Sequence, residues 1–98
     1  MWVKIHKSYR AIVAICDDNL LGKKFEEGVK QLDVRENFYN GQQINKEELA
    51  KLIKREAKED ATFNIVGQES LQIAVETGLI AKNSWKIVNG VPFILVLV

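Results

Sequence analysis

The chain of 98 residues has few of the residues on which common functional sites depend. Its single cysteine, Cys16, excludes an internal disulfide framework and any paired-cysteine motif for zinc or redox chemistry. One histidine, His6, and the run Asp17-Asp18-Asn19 do not have the ligand spacing of a zinc or calcium site, so we predict no metal and no other cofactor. The six glycines form no GxGxxG or GxxxxGK pattern, so no phosphate-binding loop is indicated.

Long hydrophobic runs and a large net charge are also missing. The most apolar stretch, Val91–Val98, is less than half of the roughly 20 residues that span a bilayer. The N-terminus lacks the apolar segment of a secretory signal, so we expect no membrane association and a cytoplasmic location, where a free thiol stays reduced. A net charge of +1 excludes a uniformly basic surface but not a local basic patch.

The composition that remains is that of an ordinary globular protein, with 47% hydrophobic and 28% charged residues. This length and balance predict one domain over residues 1–98. Val3 and Ile5 alternate with more polar neighbours, which predicts a half-buried first strand. Ala11–Cys16 is apolar on both faces and predicts a central strand, paired with the first through a hairpin at Ser8-Tyr9.

Two main helices are predicted. The first runs from about Lys46 to Asp60, with Asn45 as N-cap and Glu48 as its capping-box partner. The second runs over Gln68–Thr77, after a turn at Gly67.

Three further strands are predicted at Thr62–Val66, Ser84–Val88 and Val91–Val98. Asn89-Gly90 is typical of the type I′ turn of a hairpin between the last two. The segment between Asp17 and Gly41 predicts only a short helical turn at its start and a short strand around residues 31–34. The fold class is therefore α+β: a mixed, mostly antiparallel sheet of five or six strands with two main helices.

Four segments carry a family resemblance that covers nearly the whole chain. They are Cys16-Asp17-Asp18-Asn19-Leu20-Leu21-Gly22-Lys23, Phe38-Tyr39-Asn40-Gly41, Asn64-Ile65-Val66-Gly67-Gln68-Glu69-Ser70 and Asn89-Gly90-Val91-Pro92. In this order and spacing they resemble the small archaeal proteins grouped as a domain of unknown function, family 424. The family pattern often has a histidine after the proline, where this chain has Phe93. The resemblance implies a cytoplasmic archaeal protein of unassigned activity, with no known substrate or catalytic residue.

The first ten residues are basic, interleaved with aromatic rings and free of acidic side chains. Cations beside exposed rings on a flat strand are typical of surfaces that bind single-stranded nucleic acid. We therefore predict a non-enzymatic module that binds RNA or a ribonucleoprotein through Trp2, Lys4, His6, Lys7, Tyr9 and Arg10. The alternative interpretation is a solvated strand whose Trp2 covers the edge of the core.

A second hypothesis is a small-molecule or nucleotide-binding enzyme. Its pocket would be formed where three motifs converge, by Cys16, Asp17, Lys23, Tyr39, Asn64 and Gly67. The neighbouring carboxylates would oppose thiolate formation at Cys16, which favours a buried structural cysteine over a nucleophile. Gly67 is equally well explained as a turn glycine. A third hypothesis is a protein-interaction module, or a homodimer formed through the C-terminal strand ending at Leu97-Val98.

Overall fold

The computed structural model describes residues 1–97 and has a six-stranded sheet as its centre. The elements, in chain order, are β1 (Trp2–His6), β2 (Ile12–Cys16), a 3-10 turn (Asp18–Leu20), β3 (Lys24–Glu27), β4 (Lys30–Asp33), α1 (Glu36–Tyr39), β5 (Gln42–Gln43), α2 (Lys46–Lys58), β6 (Thr62–Val66), α3 (Gln68–Glu76), β7 (Lys86–Val88) and β8 (Val91–Val96). The large sheet has the order β5-β1-β2-β6-β8-β7, and β3 and β4 form a separate hairpin.

The predicted fold class is confirmed: the protein is α+β, with a mixed and mostly antiparallel sheet. Among residues 1–97, only β2 and β6 run parallel, while β1–β2, β1–β5, β6–β8 and β7–β8 are antiparallel. The predicted central strand, β2, lies between β1 and β6 and is buried from Val13 to Cys16. The last hairpin turns at Asn89-Gly90, where both residues have positive φ, as a type I′ turn requires.

The two faces of this sheet are covered differently. On the helical face, alternate strand residues pack against α2 and α3, and Val13, Ile15, Phe63 and Ile65 are completely buried there. On the opposite face, which we call the cleft face, the next residues along each strand meet the β3–β4 hairpin and α1. Because successive side chains of a strand point to opposite faces of the sheet, the same strands contribute to the apolar layer beneath the helices and to the one beneath the hairpin and α1.

Local sequence explains why the two long helices begin where they do. The Asn45 side chain accepts from the Glu48 amide at 2.9 Å, and the Glu48 carboxylate accepts from the Asn45 amide at 3.2 Å, so the predicted capping box is present. The apolar stripe of α2 buries Leu49, Leu52 and Ile53 against the sheet. Helix α3 starts directly after Gly67 and ends before Gly78, which has a φ of 82°.

Differences from the sequence-based prediction concern short elements and boundaries. The predicted turn after Asp17 and the strand around residues 31–34 are present, but β3, α1 and β5 were missed. These elements have two to four residues each, too few for a hydrophobic period to appear. Helix α2 ends at Lys58 and β7 begins at Lys86, two residues inside each prediction. Val98, predicted as the last strand residue, lies outside the described residues.

Within residues 1–97, no helix is long and apolar enough to cross a bilayer. The same part of the chain also has no cluster of three or more His, Cys, Asp or Glu side chains arranged to hold a metal ion.

Candidate functional site

Asp17, predicted as part of a ligand pocket, is a buried structural carboxylate. It follows β2 and accepts hydrogen bonds from the amides of Glu69 and Ser70 at 3.1 and 2.8 Å, and from the Ser70 hydroxyl at 2.7 Å. These are donors at the first turn of α3, where a helix leaves amide groups without internal partners. Asp17 also precedes a 3-10 turn, but its side chain makes no capping bond to that turn and caps α3 instead. The reason is topological: β2 and β6 are parallel neighbours, so the end of β2 lies beside the start of the helix that follows β6.

The position next to the Asp17 carboxylate requires a glycine, Gly67. Its φ is 109°, and a Cβ at this position would overlap the carboxylate of Asp17. Only glycine combines that backbone conformation with such a close approach. The role of Gly67 is therefore explained by the contact with Asp17, and a phosphate would compete with a carboxylate already bound to the α3 amides.

Cys16 lies in the same strand end and is fully buried. Burial, together with the charges of Asp17 and Asp18, raises the pKa of the thiol to about 12 from an ordinary value of 9.0. A thiol that stays protonated and has no access to solvent cannot act as a nucleophile. Cys16 packs with Ala14, Tyr39 and Val66 in the apolar cluster of the cleft face.

Three of the predicted nucleic-acid contacts, Trp2, Lys4 and His6, point to the cleft face, as strand alternation predicted. The Lys4 ammonium donates to the carbonyl of Asn37 at 2.8 Å. The His6 Nε2 donates to the carbonyl of Phe38 at 2.8 Å, and the two rings stack with centroids 4.4 Å apart. This part of the strand therefore holds α1 in place and is not an open platform for bases.

The other three predicted contacts, Lys7, Tyr9 and Arg10, lie in the loop between β1 and β2, and each is exposed. We call residues 7–10 the tip loop. Tyr9 has no part of its ring covered, with a relative accessibility of 105%. The Ser8 hydroxyl donates to the carbonyl of Arg10 and orders the turn from within. The tip loop thus presents a bare aromatic ring with basic residues on both sides.

A cleft of about 330 Å³ opens on the cleft face, between the β4–α1 segment and the strands β6 and β8. We call it the α1 cleft. Its lining consists of Leu32, Asp33, Arg35, Phe38, Tyr39, Asn64, Ile65, Val66, Phe93, Ile94 and Leu95. The volume lies in the roughly 300–1,000 Å³ range of small-molecule sites, and most of the wall is apolar.

Two polar groups in the α1 cleft have no protein partner within the described chain. They are the carboxamide of Asn64 and the hydroxyl of Tyr39, neither of which makes a hydrogen bond within residues 1–97. Since every side-chain nitrogen or oxygen shut off from solvent in that part of the chain has a partner, both groups are in contact with solvent. Burial, Cys16 and Asp33 raise the pKa of Tyr39 to about 12, so its hydroxyl remains a hydrogen-bond donor.

The six residues predicted for a ligand pocket therefore do not meet in one place. Tyr39 and Asn64 share the α1 cleft, and Cys16 lies beneath Tyr39 in the core. Asp17 lies against Gly67 at the start of α3, where its carboxylate accepts from the Ser70 amide. Lys23 is exposed in the connection that leads to β3, where its carbonyl accepts from the Val34 amide at 2.9 Å.

Sequence reasoning missed the charged pair at the mouth of the cleft and the apolar residues on its far side. Asp33 and Arg35 approach to 3.9 Å and remain largely exposed. Phe93 and Leu95 come from β8, which only the tertiary fold brings next to Asn64. Asn64, which the sequence analysis did include, differs from these residues because it is a polar residue between the apolar Phe63 and Ile65 on a central strand, where an unpaired amide requires an explanation.

Comparison with known proteins places the chain in a family without assigning an activity. The family model described as "Protein of unknown function (DUF424)" matches residues 6–98, so the chain belongs to this family, and the predicted resemblance is confirmed. The crystal structure of an uncharacterized conserved protein from Methanopyrus kandleri is similar, with a TM-score of 0.86 and 25% sequence identity. The match covers 96% of this chain and 87% of that one. No curated protein matches the chain.

Proposed function

We propose that this member of the DUF424 family is a non-enzymatic protein that binds single-stranded RNA, alone or within a ribonucleoprotein, through its tip loop. The observation that carries the proposal is the complete exposure of Tyr9 between Lys7 and Arg10. A large aromatic ring with no covering residue loses nothing by stacking on an unpaired base, and such stacking contributes about 1–3 kcal/mol per base. The proposal includes a cytoplasmic location, where the free thiol of Cys16 stays reduced.

The charge distribution supports the same surface. Lys7 and Arg10 are the basic residues of the tip loop, and no acidic side chain occurs before Asp17 in the sequence. Lysine and arginine beside a stacking ring place phosphates while the ring takes the base, without reading sequence. With a net charge of +1, the protein lacks a general attraction for polyanions, so binding must come from this local group.

The test measures fluorescence anisotropy of a labelled single-stranded oligoribonucleotide of mixed sequence over a range of salt concentrations. We expect affinity to fall steeply with salt, because phosphate contacts release counterions. Tyr9→Ala should weaken binding by roughly fivefold or more, and Lys7→Ala should lower the salt dependence by about one phosphate contact.

The chain offers a matched control at the turn between β3 and β4. Val29 is also a fully exposed apolar residue, and Lys30 follows it. The double variant Val29→Ala, Lys30→Ala should bind RNA like the unchanged protein. The matching tip-loop variant is the double change Tyr9→Ala, Lys7→Ala. No retention of RNA even at low salt, or equal losses of affinity in this double variant and in the control, would rule out the tip loop as the binding site.

The enzyme hypothesis retains support only in part. Its cysteine-based form loses its basis because the Cys16 thiol is buried and protonated. Tyr39 and Asn64 do converge on one cleft, which favours binding of a small molecule more than it favours chemistry. A slow or absent reaction of Cys16 with a thiol reagent in the folded protein, compared with rapid reaction in denaturant, is the expected result.

A homodimer through the C-terminal strand stays a prediction. β8 pairs with β6 along Phe93–Val96 and with β7 along Val91–Phe93. Beyond Phe93, its outer edge therefore has no strand partner among residues 1–97, and Leu95 and Leu97 are exposed there. Light scattering that gives a monomer mass at high protein concentration would contradict a dimer of this kind.

A further inference from the structure

We infer that the α1 cleft is a binding site for a nucleobase, held flat between apolar side chains and recognised along one edge by Asn64. The inference does not depend on RNA binding by the tip loop. It rests on different residues, and its test has different variants. The two proposals can therefore fail separately.

The shape and lining of the cleft select a planar, weakly polar ligand. Phe38 and Tyr39 approach from α1, while Phe93 and Leu95 approach from β8. A cleft lined by aromatic residues from two separate elements offers stacking surfaces to a flat ring, and such stacking does not require a charged partner. A cavity of about 330 Å³ is large enough for a base with its sugar.

The unpaired polar groups define which flat ligand fits. The Asn64 carboxamide offers one acceptor and one donor group side by side, and nothing within the described chain binds either. A carboxamide forms two parallel hydrogen bonds with a planar edge that has an adjacent donor and acceptor, as nucleobases do. The Tyr39 hydroxyl adds a third unpaired group in the same space. A purely hydrocarbon ligand would leave these groups without partners, at a cost in affinity.

The charged pair at the mouth completes the pattern. Arg35 presents a guanidinium whose side chain is 73% exposed, with only a loose 3.9 Å contact to Asp33. A guanidinium in this position suits a phosphate attached to the base through its sugar. The Asp33 carboxylate, 50% exposed, would repel that phosphate and accept from a sugar hydroxyl. These two side chains are the only charged ones that line the α1 cleft within residues 1–97.

The experiment follows amide and side-chain signals of the full chain by heteronuclear NMR during titration with AMP, GMP, CMP and UMP, and, separately, with ribose 5-phosphate. We expect at least one nucleotide to shift the signals of Asn64, Tyr39 and Phe93, while ribose 5-phosphate does not. Binding of ribose 5-phosphate as tightly as the nucleotides, or no shifts in the cleft with any of the four, would overturn the inference.

Variants connect the shifts to the proposed contacts. Asn64→Ala should weaken nucleotide binding by roughly fivefold to a hundredfold, and Tyr39→Phe by roughly threefold to tenfold. Asn64→Asp keeps the size of the side chain but removes its donor, and should weaken binding as well. Asn19→Ala removes an exposed amide outside the cleft and is the matched control. Unchanged affinity in both Asn64 variants would contradict recognition by this residue.

Two further arms separate the possible sources of the base. If the cleft binds a free nucleotide, a dinucleotide should bind more weakly than the mononucleotide, because the cleft has no room for the second nucleotide. If the cleft takes a base from a strand, a tetranucleotide should bind more tightly, and Tyr9→Ala should reduce that gain without changing mononucleotide affinity. Both results support a base site, whereas a loss of mononucleotide affinity in Tyr9→Ala would contradict independent sites.

Discussion

The two faces of the six-stranded sheet use neighbouring residues for different purposes. On the helical face, Phe63 is completely buried beneath α2 and α3. On the cleft face, the next residue, Asn64, lines an open cleft, and its carboxamide makes no hydrogen bond within the described chain. Two adjacent residues of β6 therefore differ in role: Phe63 fills the core, whereas the carboxamide of Asn64 makes no hydrogen bond to residues 1–97.

The covering elements explain this difference. Two helices of 13 and 9 residues provide continuous apolar stripes over the helical face. The cleft face is covered by a small hairpin and a helix of four residues, which cannot reach across six strands. A face that is only partly covered leaves concave space at the border of its cover, and such borders are where ligand sites form.

The largest expected effect is a difference in stability between substitutions at two adjacent residues of β6. Phe63→Ala should lower the free energy of unfolding by about 3–5 kcal/mol, because it leaves a cavity in a close-packed layer. Asn64→Ala should change the free energy of unfolding by less than about 0.5 kcal/mol, since it removes no described hydrogen bond. Urea denaturation of both variants measures the two values. Equal losses would mean that the cleft face is as structural as the helical one.

The second prediction concerns the buried polar contact that ties β2 to α3. Gly67→Ala should cost about 2–4 kcal/mol, because alanine is strained at a φ of 109° and its Cβ would displace the Asp17 carboxylate from its donors. Gly78→Ala is the control: its φ is 82°, but nothing lies within 4 Å of the added Cβ, so only about 1 kcal/mol is expected. Thermal or urea unfolding compares them. A Gly67 variant no worse than the Gly78 variant would remove the argument for a close approach.

The third prediction is a gradual pH dependence of stability that comes from two groups on the cleft face, Cys16 and Tyr39. Folding raises the pKa of Cys16 from 9.0 to about 12, and that of Tyr39 from 10.0 to about 12. As the pH rises, the thiol of Cys16 and the hydroxyl of Tyr39 therefore lose their protons in the unfolded chain before they do so in the folded protein. The stabilisation is complete below about pH 9. It falls by on the order of 1 kcal/mol per pH unit, for Cys16 from about pH 9 and for Tyr39 from about pH 10, as the pH rises towards 12.

Urea midpoints measured between about pH 8 and about pH 11 test this dependence. Cys16→Ala and Tyr39→Phe should each flatten the loss, whatever they do to stability at neutral pH. Val66→Ala removes a non-titrating neighbour from the same cluster, and its pH dependence should match that of the unchanged protein. A Cys16→Ala protein with an unchanged slope would show that this thiol ionises alike in the folded and unfolded chains.

Prediction from sequence succeeded where a local pattern has one physical meaning. The capping box at Asn45 and Glu48, the turn at Asn89-Gly90 and the doubly apolar strand ending at Cys16 each depend on neighbours in the chain. The site was predicted less well. Alternation placed Lys4 and His6 on one face correctly, but it could not show that a four-residue helix would cover them.

The sequence by itself determined the α+β class, the central strands, the two long helices and the exposure-prone composition of the tip loop, because these follow from periodicity and local hydrogen bonding over a few residues. Only the tertiary structure decided that Asp17 caps α3 across 52 residues, that Cys16 is completely buried, and that Asn64 and Tyr39 line the same cleft. The physical reason is that these properties depend on strand order. The parallel pairing of β2 with β6 and the return of β8 beside β6 bring together residues whose separation along the chain carries no periodic signal.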